Sequence, residues 1–134
     1  MENIKIFFSM LVTCIALDIV WLGFIAKKLY ADSLGSMLRR SGDSLTPNWS
    51  AAIIVYLALT LGILLFALPR ANGSYTMALV WGGLFGVIVY GVYDFTNLAT
   101  LANWPVYISV IDAIWGAVIC AAVTLVGVFV QSKL

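Results

Sequence analysis

An all-α bundle of four transmembrane helices, forming one domain, is the fold this sequence predicts, and three observations carry the prediction. Charged residues are 10% of the 134-residue chain and hydrophobic ones 63%, whereas soluble domains are about a quarter charged. Mean hydropathy is +1.07. The apolar residues also fall into four runs, each close to the roughly 20 residues that a helix needs to cross a bilayer.

The first run covers about Ile4–Ala26. "LVTC" at Leu11–Cys14 faintly resembles a lipoprotein cleavage box, but Thr13 stands where a smaller residue is preferred, so the segment reads as a span. The longest connection follows, Lys27–Asn48. In it Tyr30, Leu34, Met37 and Leu38 recur at helical spacing, followed by Arg39 and Arg40. That pattern predicts a short amphipathic helix between the first two spans, over residues 28–40. It would lie in the interface with Lys27, Lys28, Arg39 and Arg40 toward lipid headgroups; packing on its own bundle fits the spacing equally. Thr46 and Pro47 read as an N-cap and first-turn proline opening a second span, about Trp49–Leu68. Pro69 and the "RANGS" after it read as its end. Ser74 is placed to cap a third span, about Tyr75–Leu98, and "NWP" at Asn103–Pro105 to open a fourth, about Trp104–Val130. Trp49, Tyr75, Trp104 and Tyr107 stand near helix ends, where aromatic rings favour the headgroup region. The short third loop makes the last two spans antiparallel neighbours.

A net charge of +1 excludes a polybasic nucleic-acid binder. With no histidine, a metal site would need mainly oxygen ligands, and no metal motif is present. Cys14 and Cys120 fall inside spans at no redox or metal spacing and read as small reduced hydrophobes. The first loop carries four basic residues, against Lys5, Arg70 and Lys133 on the opposite side. The positive-inside rule therefore puts that loop in the cytoplasm, on a margin of one charge that does not fix orientation.

Three of the six acidic residues lie within spans: Asp18, Asp94 and Asp112. An aspartate at a helix centre costs roughly 2.5–3.5 kcal/mol on insertion scales, so each implies a partner or a purpose. Measured from the helix ends on one side of the membrane, all three fall roughly 6–12 Å deep at 1.5 Å per residue. They share a leaflet. On the third span Gly82, Gly83, Gly86, Tyr90, Tyr93, Asp94 and Asn97 occupy one arc. On the fourth, Asp112, Gly116, Cys120 and Thr124 step by four with Ser109 and Gly127 alongside; on the first, Cys14, Asp18 and Trp21 share a face. "LDIVWLG" at Leu17–Gly23 and "IDAIWG" at Ile111–Gly116 repeat Asp-x-x-Trp before a glycine. The expectation is a single ligand- or proton-binding pocket of Asp18, Asp94, Asp112, Asn97, Tyr90, Tyr93, Trp21 and Trp115. Individually, Asn97, Ser109 and Thr124 read better as helix–helix glue.

Together "LDIVWLG", Tyr30–Gly35, "YDFTNLATLANWP" and "IDAIWG" resemble a family of predicted bacterial membrane proteins, domain-of-unknown-function family 2177. The resemblance covers nearly the whole chain. It implies a small four-span protein of the bacterial inner membrane and transfers no activity, substrate, cofactor or catalytic role to any residue.

Three functions fit these residues. One is binding or transport of a cationic or polar small molecule, coupled to protons, with Trp21, Trp115, Tyr90 and Tyr93 adding cation–π surface. A second is a membrane-embedded enzyme acting on a lipid or isoprenoid-like substrate, its carboxylates serving as acid and base or holding Mg²⁺. The third is a structural or accessory subunit whose polar residues set helix packing. The expected partners are membrane lipid and a small-molecule or lipid ligand; a homo-oligomer is compatible with each reading.

Overall fold

The computed structural model describes residues 1–42 and 44–134, with Ser44 described by its backbone alone. Among the described residues, four helices are long and apolar enough to cross a membrane: Glu2–Ile25, Trp49–Ala71, Tyr75–Thr100 and Val106–Lys133. Large apolar side chains cover their outer faces, Ile54 at 67% exposed and Val92 at 65% among them. In water such a surface would aggregate; against acyl chains it is the required one.

The fourth span is the central one. Its buried face, Ser109, Gly116, Cys120, Thr124 and Gly127 with Ile119 and Val123, is covered by the other three helices. Small residues set how close they come. A Cβ on Gly86 would collide with the Gly116 carbonyl, and one on Gly82 with Thr124 Oγ1 and the Cys120 carbonyl. The third and fourth backbones therefore touch through glycine, as closely packed membrane helices do. The first and second spans meet over Gly127, where a Cβ would stand 2.8 Å from Met10 Sδ and 2.9 Å from Leu68 Cδ1.

Several helix ends differ from the sequence expectations. Asn48, not Thr46, caps the second span, its side chain accepting from the Ala51 N–H at 3.3 Å. Asn103 caps nothing, because Pro105 itself occupies the N-cap of the fourth. Ser74 does cap the third, accepting from Met77 N–H at 3.2 Å. The second span does not stop at Pro69 but runs on to Ala71. A widened π-turn at Ile63–Ala67 lies just before that proline, and the Leu68 N–H reaches back to the Ile63 carbonyl. Such a turn shifts the hydrogen-bond ladder and takes up the register error that a proline would otherwise impose.

The long connection does not hold one helix over 28–40. It forms a helix at Lys27–Leu34, a 3₁₀ turn at Gly35–Met37, and a two-residue antiparallel pairing of Arg40–Ser41 with Ser44–Leu45. The helix ends because Gly35 takes φ 53°, a backbone region favouring glycine. Its apolar stripe turns inward: Tyr30 and Leu34 are buried with Ala26 and Ile108, against Trp21 and Trp104. Lys27, Lys28, Arg39 and Arg40 remain exposed. The helix is amphipathic and roofs one end of the bundle.

Candidate functional site

Under that roof lies a cavity of about 590 Å³. Asp18, Asp94 and Asp112 all line it, one from each of the first, third and fourth spans. Each stands six or seven residues from the end of its span on the roofed side, which is roughly 10 Å of helix. Leu22, Leu34, Leu38, Val55, Ala58, Leu59, Phe85 and Val89 supply apolar walls, and Tyr30, Tyr90, Tyr93 and Trp104 the aromatic ones. No lysine or arginine is among the lining residues.

The three carboxylates have unequal surroundings. Asp18 accepts from Tyr56 Oη at 2.5 Å and from Trp115 Nε1 at 3.2 Å. Asp112 accepts from Tyr30 Oη at 2.6 Å, and that oxygen in turn accepts from Trp21 Nε1 at 3.2 Å. Burial, and then its bond to the Asp112 carboxylate, hold the Tyr30 phenol well above its ordinary range. Asp94 is different. It is 1% exposed, and neither of its carboxylate oxygens has a hydrogen-bond donor. The group bearing on it is the Asp112 carboxylate, an acceptor like itself.

The two Asp-x-x-Trp motifs are interlocked across the antiparallel first and fourth spans. Trp115 donates to Asp18 of the other motif, and Trp21 reaches Asp112 of the other motif through Tyr30. The indoles stack on one another, centroids 4.5 Å apart and planes 7° off parallel. Exchange of donors between motifs keeps both carboxylates at one height.

Of the residues expected in the pocket, Asp18, Asp94, Asp112, Tyr90 and Tyr93 line the cavity. Trp21, Trp115 and Asn97 do not. The tryptophans stand behind the carboxylates as donors, so the cation–π surface expected of them falls to the tyrosines and Trp104. Asn97 lies a turn nearer the helix end and is half-buried. Ser109 does join two helices: it accepts from Trp104 Nε1 at 3.0 Å and donates to the Asp94 backbone carbonyl at 3.4 Å. Thr124 bonds only within its own helix, to the Cys120 carbonyl at 2.6 Å. Trp104 folds over the cavity rather than anchoring at the headgroups, its ring edge-on to Tyr93.

Sequence reasoning missed Tyr30 and Tyr56 as site residues. Tyr30 was visible as the first member of the Tyr30, Leu34, Leu38 stripe, whose inward direction is what spacing could not supply. Tyr56 is the one tyrosine of the second span, seven residues in, at the depth of Asp18. That depth match was the available signal.

A family model described as "Predicted membrane protein (DUF2177)" matches residues 3–129. The chain belongs to the DUF2177 family. Its four apolar helices make this DUF2177 member an integral membrane protein. No curated protein matches the chain, and no solved structure does.

Proposed function

We propose that this DUF2177 protein binds a cationic small molecule in the roofed cavity, exchanging it for a proton, as the binding step of transport in the bacterial inner membrane. The observation that carries this reading is Asp94: buried, cavity-lining and without a donor on either oxygen. Leaving a buried carboxylate without donors costs more than leaving out a neutral hydrogen bond. Two facing carboxylates, Asp94 and Asp112, can be reconciled by a proton held between them or by a cation. The three acids and the absence of any lining base set the sign of the ligand. Tyr90, Tyr93 and Trp104 add ring faces suited to a poorly hydrated cation.

A packing role would rest on a proton shared between Asp94 and Asp112, and it gives no use to the aromatic-walled cavity that both acids line. An enzyme acting on a phosphate-bearing lipid would set an anion among three carboxylates, and Lys27, Lys28, Arg39 and Arg40 do not line the cavity to offset it. Both readings rank below cation binding for those reasons.

The test is thermal unfolding of the full chain in lipid nanodiscs with benzyltrimethylammonium. At 100 times its Kd a bound ligand stabilises by about 2.7 kcal/mol. We expect a saturable rise in Tm accompanied by proton release into weak buffer, with both lost in Asp94→Asn. An equal Tm rise in Asp94→Asn, or preferential stabilisation by benzoate, would refute the reading.

A further inference from the structure

We infer that the cavity takes its ligand sideways from the bilayer, and that the ligand is a single-chain amphiphile with a cationic head whose tail lies between the second and third spans. The inference rests on the cation-binding reading and adds the tail and the route.

The opening is built by where those two helices touch. Their close packing is concentrated along the second span's last turns, Ile63–Ala71. It ends where Phe85 closes on Gly62; a Cβ there would stand 2.6 Å from Phe85 Cζ. Among the described residues, no comparable packing joins them toward the roofed side. Val55 and Val89 are cavity-lining residues from the two facing helices, yet 59% and 38% exposed. A side chain that both lines the cavity and faces outward at membrane depth marks a mouth, and what lies outside that mouth is hydrocarbon. Above the mouth, Tyr30 and Leu34 of the roof helix cover the end of the bundle that faces water.

The chemistry of the space follows its geometry. Its outer part is aliphatic and continuous with the acyl chains, and its inner part holds the carboxylates. A tail gains little by leaving lipid for such a wall, so the bilayer acts as the reservoir that delivers it, and the head supplies the selectivity. Charge complementarity therefore points to an ammonium amphiphile rather than a second copy of the chain, whose matching face would bring no base to the acids.

The test compares dodecyltrimethylammonium, tetramethylammonium and the neutral nonaethylene glycol dodecyl ether on nanodisc-embedded full chain, with Tm as readout. The expected order places dodecyltrimethylammonium at least tenfold tighter than tetramethylammonium, with no saturable response to the neutral ether. Ala58→Trp, one turn from Val55 in the cavity wall, should remove that tenfold difference; Val55→Phe serves as the second variant if Ala58→Trp does not fold. A dodecyltrimethylammonium analogue with a diazirine at the tail end should label the segments around Ala58 and Val89. If tetramethylammonium binds and Asp94→Asn abolishes it, but chain length and mouth variants have no effect, the sideways route fails while the cation site stands. If no ammonium binds at all, the underlying reading fails. Efficient cross-linking of Ala58→Cys to a second copy, or diazirine label spread evenly over the lipid-facing surface, would overturn the inference.

Discussion

Asp94 and Asp18 are the same residue type at the same depth with opposite energetic roles. Asp18 receives two donors, so replacing it leaves the Tyr56 hydroxyl and the Trp115 N–H without their acceptor. Each orphaned group costs roughly 1–3 kcal/mol. Asp94 receives none, so its removal orphans no donor of the fold. We expect Asp18→Leu to lower the unfolding free energy in nanodiscs by roughly 2–5 kcal/mol, as for other broken buried networks, and Asp94→Leu to raise it or leave it unchanged. Denaturant or thermal unfolding of the two variants side by side checks this. A large loss at Asp94 would show that the native fold depends on its charge, contrary to a site held open for a ligand.

The roof helix depends on a phenol. Tyr30 ties Lys27–Leu34 to the fourth span through Asp112 and to the first through Trp21. Its folded-state proton affinity lies above the ordinary tyrosine value of about 10. The folded protein therefore holds this proton where the unfolded chain has released it. The stabilisation is fully present below pH of about 10 and is lost progressively as pH rises from there through the folded value. Tyr30→Phe should flatten that part of the stability–pH curve above about pH 10 and lower stability near pH 7 by roughly 1.5–3 kcal/mol, the worth of a hydrogen bond to a charged group. Unfolding midpoints from pH 7 to 11 for both proteins provide the check, and an unchanged slope in the variant would sink the assignment.

Viewed whole, the molecule has a packed half and a hollow half. In the packed half Ile63, Ile119 and Val123 are fully buried around the glycine contacts. In the hollow half the second span stands off from the third, and three acids line the gap. Leu59 and Ile63 are one turn apart on the same helix face, on opposite sides of this divide. Lysine at 59 can extend its ammonium to the carboxylates, whereas at 63 it meets only hydrocarbon, where an unpaired charge is far more costly. Leu59→Lys should fold and, as a tethered cation, no longer respond to benzyltrimethylammonium. Ile63→Lys should fail to yield folded protein. Size-exclusion profile and Tm in nanodiscs distinguish the outcomes; equal tolerance at both positions would mean the two halves do not differ as described.

The features legible in one dimension are those that depend on position along a helix. Hydropathy run lengths gave four spans because the bilayer imposes a minimum apolar length. The depth of Asp18, Asp94 and Asp112 followed from a fixed rise per residue, and the glycine face of the third span from a fixed turn per residue. Features that depend on helices meeting emerge from the folded arrangement alone. Which donors reach which carboxylate, Tyr56 and Trp115 at Asp18 but none at Asp94, is set by rotations between helices that no one-dimensional period encodes. The same holds for the roof helix, whose Tyr30–Leu34 stripe suits a lipid interface or a cavity equally until a neighbour stands beneath it. The mouth between the second and third spans is the furthest from the sequence, because a gap is a contact that two helices do not make.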